Sequence, residues 1–173
     1  MRVLLVGGGI GVGGSGDRGL QLARVLISEG HAVRAAVDES HRAAVEAAGC
    51  ECWVGDPDRI GSLRYALENV TVLLWMLGDV DRAELHGPRL QMMMERTIDT
   101  TVRGVTYETF GPHGDEGREV VVRMATKNEI PFVLIDRDPE DVDAWLAAVL
   151  SGIEQITSVD RAELQRAALQ RSA

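Results

Sequence analysis

The 173-residue chain is 45% apolar and carries a net charge of −9, from 27 acidic and 18 basic residues. That composition is globular, with enough chain for one buried core. An acidic chain with no basic cluster excludes nucleic acid and acidic membrane surfaces as partners, and no apolar run approaches the ~20 residues that span a bilayer.

The apolar run Val3-Leu4-Leu5-Val6 is cut short by glycine and has no cleavage site after it, so residues 2–6 are read as a strand of a cytoplasmic protein. A helical stripe of Leu22, Val25, Leu26 and Ile27 follows from Leu20 and stops at Gly30. Residues 32–37 are predicted as a strand, 39–48 as a helix ended by Gly49, and 51–54 as a strand. At the start of that strand Cys50 and Cys52, two residues apart, are poorly placed for a disulfide or joint metal ligation, and the four histidines are scattered, so no metal site is expected. A turn at 55–58 leads to a short helix at 62–68. The continuous apolar run at 70–77 reads as a central strand covered on both faces.

A polar loop at 79–87 precedes a helix opened by Pro88 and running to about Asp99. Then come a strand at 102–110, a loop at 111–114, a helix at 115–127, a strand at 131–135 and a long helix at 141–156. Residues 1–158 make one domain, and 159–173 a polar helical tail. This alternation predicts an α/β fold, a doubly wound parallel six-stranded Rossmann sheet of order 3-2-1-4-5-6 with helices on both faces. Such folds bind ligands at the strands' carboxyl ends, beside strands 1 and 4.

Eight glycines stand between positions 7 and 19, and G-x-G-x-x-G fits them in three registers. A phosphate-binding turn must lead directly into a helix, whose first amides hold the anion. Glycine inside a helix costs about 1 kcal/mol relative to alanine, which selects the register ending at Gly19. The turn is then Gly14-x-Gly16-x-x-Gly19 or Gly13-x-x-Gly16-x-x-Gly19, and residues 7–12 read as an insertion ahead of it.

The segments GGSGDRGLQLARVLISEGHAVRAAV, CECWVGDPDRIGSL and VTVLLWMLG resemble the extended and atypical short-chain dehydrogenase/reductase superfamily. Its NAD-dependent epimerase and NmrA-like members carry G-x-x-G-x-x-G, a strand ending in Gly-Asp and an apolar fourth strand. The resemblance covers residues 2–78 and implies Gly13, Gly16 and Gly19 around a pyrophosphate. It also implies Asp38 near the adenosine ribose, Asp56 near adenine, and Leu77 and Gly78 lining the cofactor. Asp17 departs from the family pattern, which has an apolar residue there. It either caps the helix or turns away, while Arg18, in the same cofactor turn, offsets its charge or is solvated. A carboxylate at Asp38 accepts from ribose hydroxyls and repels a 2′-phosphate, so NAD is expected in preference to NADP.

The family's catalytic Tyr-x-x-x-Lys is absent. Tyr65 and Tyr107 are followed four residues later by Asn69 and Gly111, and the sole lysine, Lys127, is preceded four residues earlier by Arg123. The remaining catalytic candidates are Tyr107, Thr109 (where the family's serine falls) and His113. The chain is also short for the extended enzymes, so loops 79–87 and 110–115 or a partner subunit would have to grip a substrate. Leu90, Met93 and Met94 either pack on the sheet or form a homodimer face. The expectation is an NAD(P)-binding protein that binds or senses the dinucleotide, acting through a partner. The alternatives are an oxidoreductase or epimerase with non-standard catalytic residues and a small-molecule substrate, or a degenerate fold without cofactor.

Overall fold

The computed structural model describes residues 1–11, 14 and 16–171, with side chains through residue 159. Its elements are β1 (Arg2–Gly7), α1 (Arg18–Ser28), β2 (Ala32–Val37), α2 (Arg42–Ala47), β3 (Glu51–Val54), β4 (Val72–Met76), α3 (Pro88–Thr97), β5 (Gly104–Glu108), α4 (Gly114–Lys127), β6 (Phe132–Ile135) and α5 (Val142–Arg171). The strands form one six-stranded sheet in the order β3-β2-β1-β4-β5-β6, every pair parallel. This is the doubly wound order read from the alternation of elements.

Side chains alternate across each strand and build two cores. Leu4, Val6, Leu73, Trp75, Val105 and Tyr107 pack with Leu90, Met93 and Met94 of α3 and with Val120 and Val121 of α4. On the other face Val3, Leu5, Leu74 and Met76 pack with Leu22 and Leu26 of α1 and Trp145, Val149 and Ile153 of α5. Coverage on both faces is why β4 is apolar throughout and fully buried. The α3 stripe is core: Leu90, Met93 and Met94 are at most 1% exposed.

Three boundaries differ from the sequence reading. α1 starts at Arg18 rather than Leu20, so Arg18 lies in its first turn. The segment Ile60–Leu67 is a 3-10 helix, and a 3-10 turn at Glu39–His41 precedes α2. The long helix and the tail are one element, α5, which runs through position 159 without a break. No glycine or proline stands after Gly152 to stop it. No described helix is long and apolar enough to cross a membrane. Cys50 and Cys52 are free thiols, and burial raises the pKa of both.

Candidate functional site

β1 ends at Gly7, and the chain leaves it through a run of positive φ at Gly7, Gly8, Gly9 and Gly11. The Gly8 N–H donates to the Met76 carbonyl at 2.7 Å, and the Gly19 N–H donates to the Gly8 carbonyl at 2.8 Å. A Cβ on Gly8 would lie 2.8 Å from the Gly19 Cα, so only paired glycines let α1 sit this close to the strand end. Gly8 and Gly19 are therefore the two ends of the turn.

That corrects the reading of 7–12 as an insertion ahead of the motif. Gly7 and Gly8 belong to the turn itself, which demands positive φ and close backbone approach. Gly16, with φ +87°, is exposed, and a Cβ there would meet nothing within 4 Å among the described residues. Gly13 lies outside the described residues. Asp17 occupies the N-cap position without making a side-chain cap; its carboxylate turns to Gln21 Nε2 at 2.8 Å.

At the end of β2, Asp38 is exposed, and its Oδ1 accepts from Ser40 Oγ at 2.5 Å and His41 Nδ1 at 2.8 Å. These hydrogen bonds, Ser40's first, hold the Asp38 carboxyl below the usual range. Its other oxygen, Oδ2, has no hydrogen-bond partner among the described residues and lies 3.9 Å from where a Gly11 Cβ would stand. Asp56, half-buried beyond β3, is held in its turn. Its Oδ1 accepts the Asp58 N–H at 2.9 Å, and its own N–H donates to Ser62 Oγ at 2.8 Å.

Across the switch point the β4 and β5 ends are built differently. Arg18, 2% exposed, turns inward from the first turn of α1. Its guanidinium donates to Asp79 at 3.1 and 2.9 Å and to both oxygens of Glu108 at 3.1 Å. Glu108 is fully buried and also accepts the Gly78 N–H and the Trp145 indole N–H, each at 2.7 Å. The Trp145 ring lies 5.2 Å from the guanidinium carbon. Burial raises the Glu108 carboxyl pKa; Arg18, Gly78 and Trp145 pull it down, and the net direction is upward.

Arg18 is thus neither solvated nor set against Asp17, and the Gly78 amide is already bonded. Both contacts have the same cause: the buried Glu108 carboxylate on β5 accepts from the Arg18 guanidinium and the Gly78 amide. The loops after β4 and β5 also close on each other, because a Cβ on Gly78 would strike the Phe110 carbonyl and one on Gly111 the Gly78 carbonyl. Leu77 is 2% exposed beneath them.

The catalytic candidates separate in the same way. Tyr107 is fully buried, and its hydroxyl meets His86 Nδ1 at 2.7 Å. His86 Nε2 faces the Val80 carbonyl at 3.1 Å, which can only accept, so Nε2 carries the proton and Nδ1 accepts from Tyr107. Burial lowers the His86 pKa and raises that of Tyr107, which favours the neutral form of each in this buried hydrogen bond. Replacing Tyr107 by Phe leaves His86 Nδ1 buried without a donor. The expected cost is about 1–3 kcal/mol in urea unfolding. Thr109 donates its hydroxyl to the Ile135 carbonyl at 3.2 Å, a strand-end contact. His113, partly exposed, pairs through Nε2 with Asp81 at 2.7 Å and stacks on His86 with centroids 5.5 Å apart.

Glu108, Asp79 and Trp145 were not anticipated as partners. The one signal in the sequence is a carboxylate at the end of a strand that is covered on both faces, since a buried group of this kind needs a counter-charge.

No family model and no curated protein matches the chain. Solved structures do. A short-chain dehydrogenase/reductase superfamily protein from Agrobacterium tumefaciens with bound NAD is similar with a TM-score of 0.59 and 16% identity, over 78% of this chain and 48% of that one. UDP-glucuronic acid 4-epimerase from Bacillus cereus, in complex with NAD, gives 0.59 and 12% identity over 78% and 55%. Triphenylmethane reductase from Citrobacter sp., complexed with NADP(H), gives 0.57 and 19% over 78% and 48%. The chain shares the doubly wound Rossmann fold of these structures. It spans about half the length of these structures.

In a Rossmann fold that binds a dinucleotide, the group lies across the switch point, pyrophosphate at the first helix and adenosine toward β2. The β2 side of this chain fits such a group: among the described residues Asp38 Oδ2 has no hydrogen-bond partner, and a Cβ on Gly16 would meet nothing within 4 Å. The β4–β5 side fits it less well, because Arg18, Asp79, Glu108 and Trp145 satisfy one another there.

Proposed function

We propose that this protein binds NAD without turning it over, with residues 1–158 as the binding domain. The observation that carries the proposal is the Gly8–Gly19 contact, which brings the start of α1 to the end of β1 beside the open Asp38 carboxylate. Gly16 and the amides at the very start of α1 hold the pyrophosphate, where the helix end favours an anion, while Gly19, whose own N–H is taken by the Gly8 carbonyl, allows the close approach of strand and helix. Asp38 accepts from the ribose hydroxyls and repels a 2′-phosphate, which selects NAD over NADP. Bound NAD supplies hydride-acceptor chemistry.

Three features support a non-catalytic role. The chain has no Tyr-x-x-x-Lys pair, Tyr107 is buried in a neutral core bond, and the Thr109 hydroxyl is engaged by the backbone. Binding without turnover suits a sensor that reports through a protein partner.

Titration with NAD, NADH, NADP and NADPH tests this reading. NAD is expected to bind in the micromolar range and NADP about tenfold more weakly, as a carboxylate facing a phosphate requires. Asp38→Ala is expected to remove that preference. Failure of all four nucleotides to bind below the millimolar range would contradict the proposal. A preference unchanged in Asp38→Ala would contradict the role given to Asp38.

A further inference from the structure

We infer that the protein recognises the ADP-ribose portion of its ligand and takes no affinity from the nicotinamide ring, so that ADP-ribose binds as well as NAD. This rests on the dinucleotide reading above and narrows it.

The two sides of the switch point differ in what they leave available. Toward β2, Asp38 Oδ2 has no partner among the described residues, the Asp38 side chain is 54% exposed, and Gly16 borders open space. Toward β5, the groups that a carboxamide would need are joined to one another. The Gly78 N–H and the Trp145 indole N–H both end on Glu108, and the Arg18 guanidinium is shared between Glu108 and Asp79. Thr109 donates to the Ile135 carbonyl.

Burial follows the same division. The side chains of Glu108 and Arg18 are 0% and 3% exposed, and Asp79 alone of the ion network reaches the surface, at 17%. Arg18 Nε has no hydrogen-bond partner among the described residues, but it is enclosed with the rest of the guanidinium. The backbone contact between the loops at Gly78 and Gly111 shuts the gap between the β4 and β5 ends. A nicotinamide ring entering here would have to displace a satisfied, buried ion network, and no released group would gain a better partner. The ring therefore remains in solvent while the ADP-ribose portion is held.

Isothermal titration of the full chain with ADP-ribose, NAD, NADH and nicotinamide mononucleotide tests the inference. ADP-ribose, NAD and NADH are expected to agree within about threefold, and the mononucleotide neither to bind nor to compete. Asp38→Ala is expected to weaken all three adenine ligands in parallel. NAD binding about tenfold or more tightly than ADP-ribose, or competition by the mononucleotide, would overturn the inference and leave the NAD reading standing. If none of the adenine ligands binds, the NAD reading fails and the inference falls with it.

Discussion

Arg18→Met is expected to lower folding stability by about 3–5 kcal/mol, the usual consequence of stranding a buried charge. Among the described residues the guanidinium is the only cation bonded to Glu108, which is fully buried, and it also holds Asp79. Methionine keeps much of the packing on Trp145 but neutralises neither carboxylate. The deficit has a pH dependence whose sign follows from Glu108. Its folded pKa is raised, by burial, above the ordinary carboxylate value of 4.5. Stability gained from the protonated form is complete below that value and is lost as pH rises through the folded pKa. Removing Arg18 takes away the largest influence pulling that pKa down, so the raised window widens. Urea unfolding should show the gap between variant and native protein shrinking in acid and largest at neutral pH. A gap independent of pH would mean that Glu108 is not the stranded group.

The second large effect is expected on the other partner. Glu108→Ala leaves the Gly78 N–H, the Trp145 indole N–H and one side of the Arg18 guanidinium without acceptors. Each orphaned donor costs about 1–3 kcal/mol, and truncation adds a cavity, so a loss of roughly 4 kcal/mol is expected. The double variant Arg18→Met/Glu108→Ala is expected to be clearly less unstable than the sum of its parts, because it strands no buried charge on β5. Groups in one ion network are coupled in this way, and a double-mutant cycle measures it. Strict additivity would show that the two side chains stabilise the fold independently, against the geometry.

The sheet order was legible because it depends on features that sequence carries locally: apolar runs, helical stripes and the glycines between them. The turn was harder. Eight glycines offer several matching registers, and the pair that matters is fixed by the Met76 carbonyl on β4 and by the closeness of Gly8 to Gly19. Neither is visible in a one-dimensional pattern. Tyr107 looked available because it stands near a strand end. In a strand covered on both faces every position is buried, so alternation gives no warning. The Arg18–Glu108 contact spans ninety positions of chain, beyond any local rule. That Asp38 stands directly after β2 was legible, since this depends only on where the strand stops.

The split between an open adenosine side and a self-satisfied β4–β5 side is the core of this account. The most direct test is amide NMR of the full chain during titration with NAD. Shifts are expected at Gly8, Gly16, Gly19 and residues 38–41, with the Trp145 indole N–H and the Gly78 amide unmoved. Large shifts at Trp145 and Gly78, or no shift at Gly19 and Asp38 under saturating NAD, would contradict it.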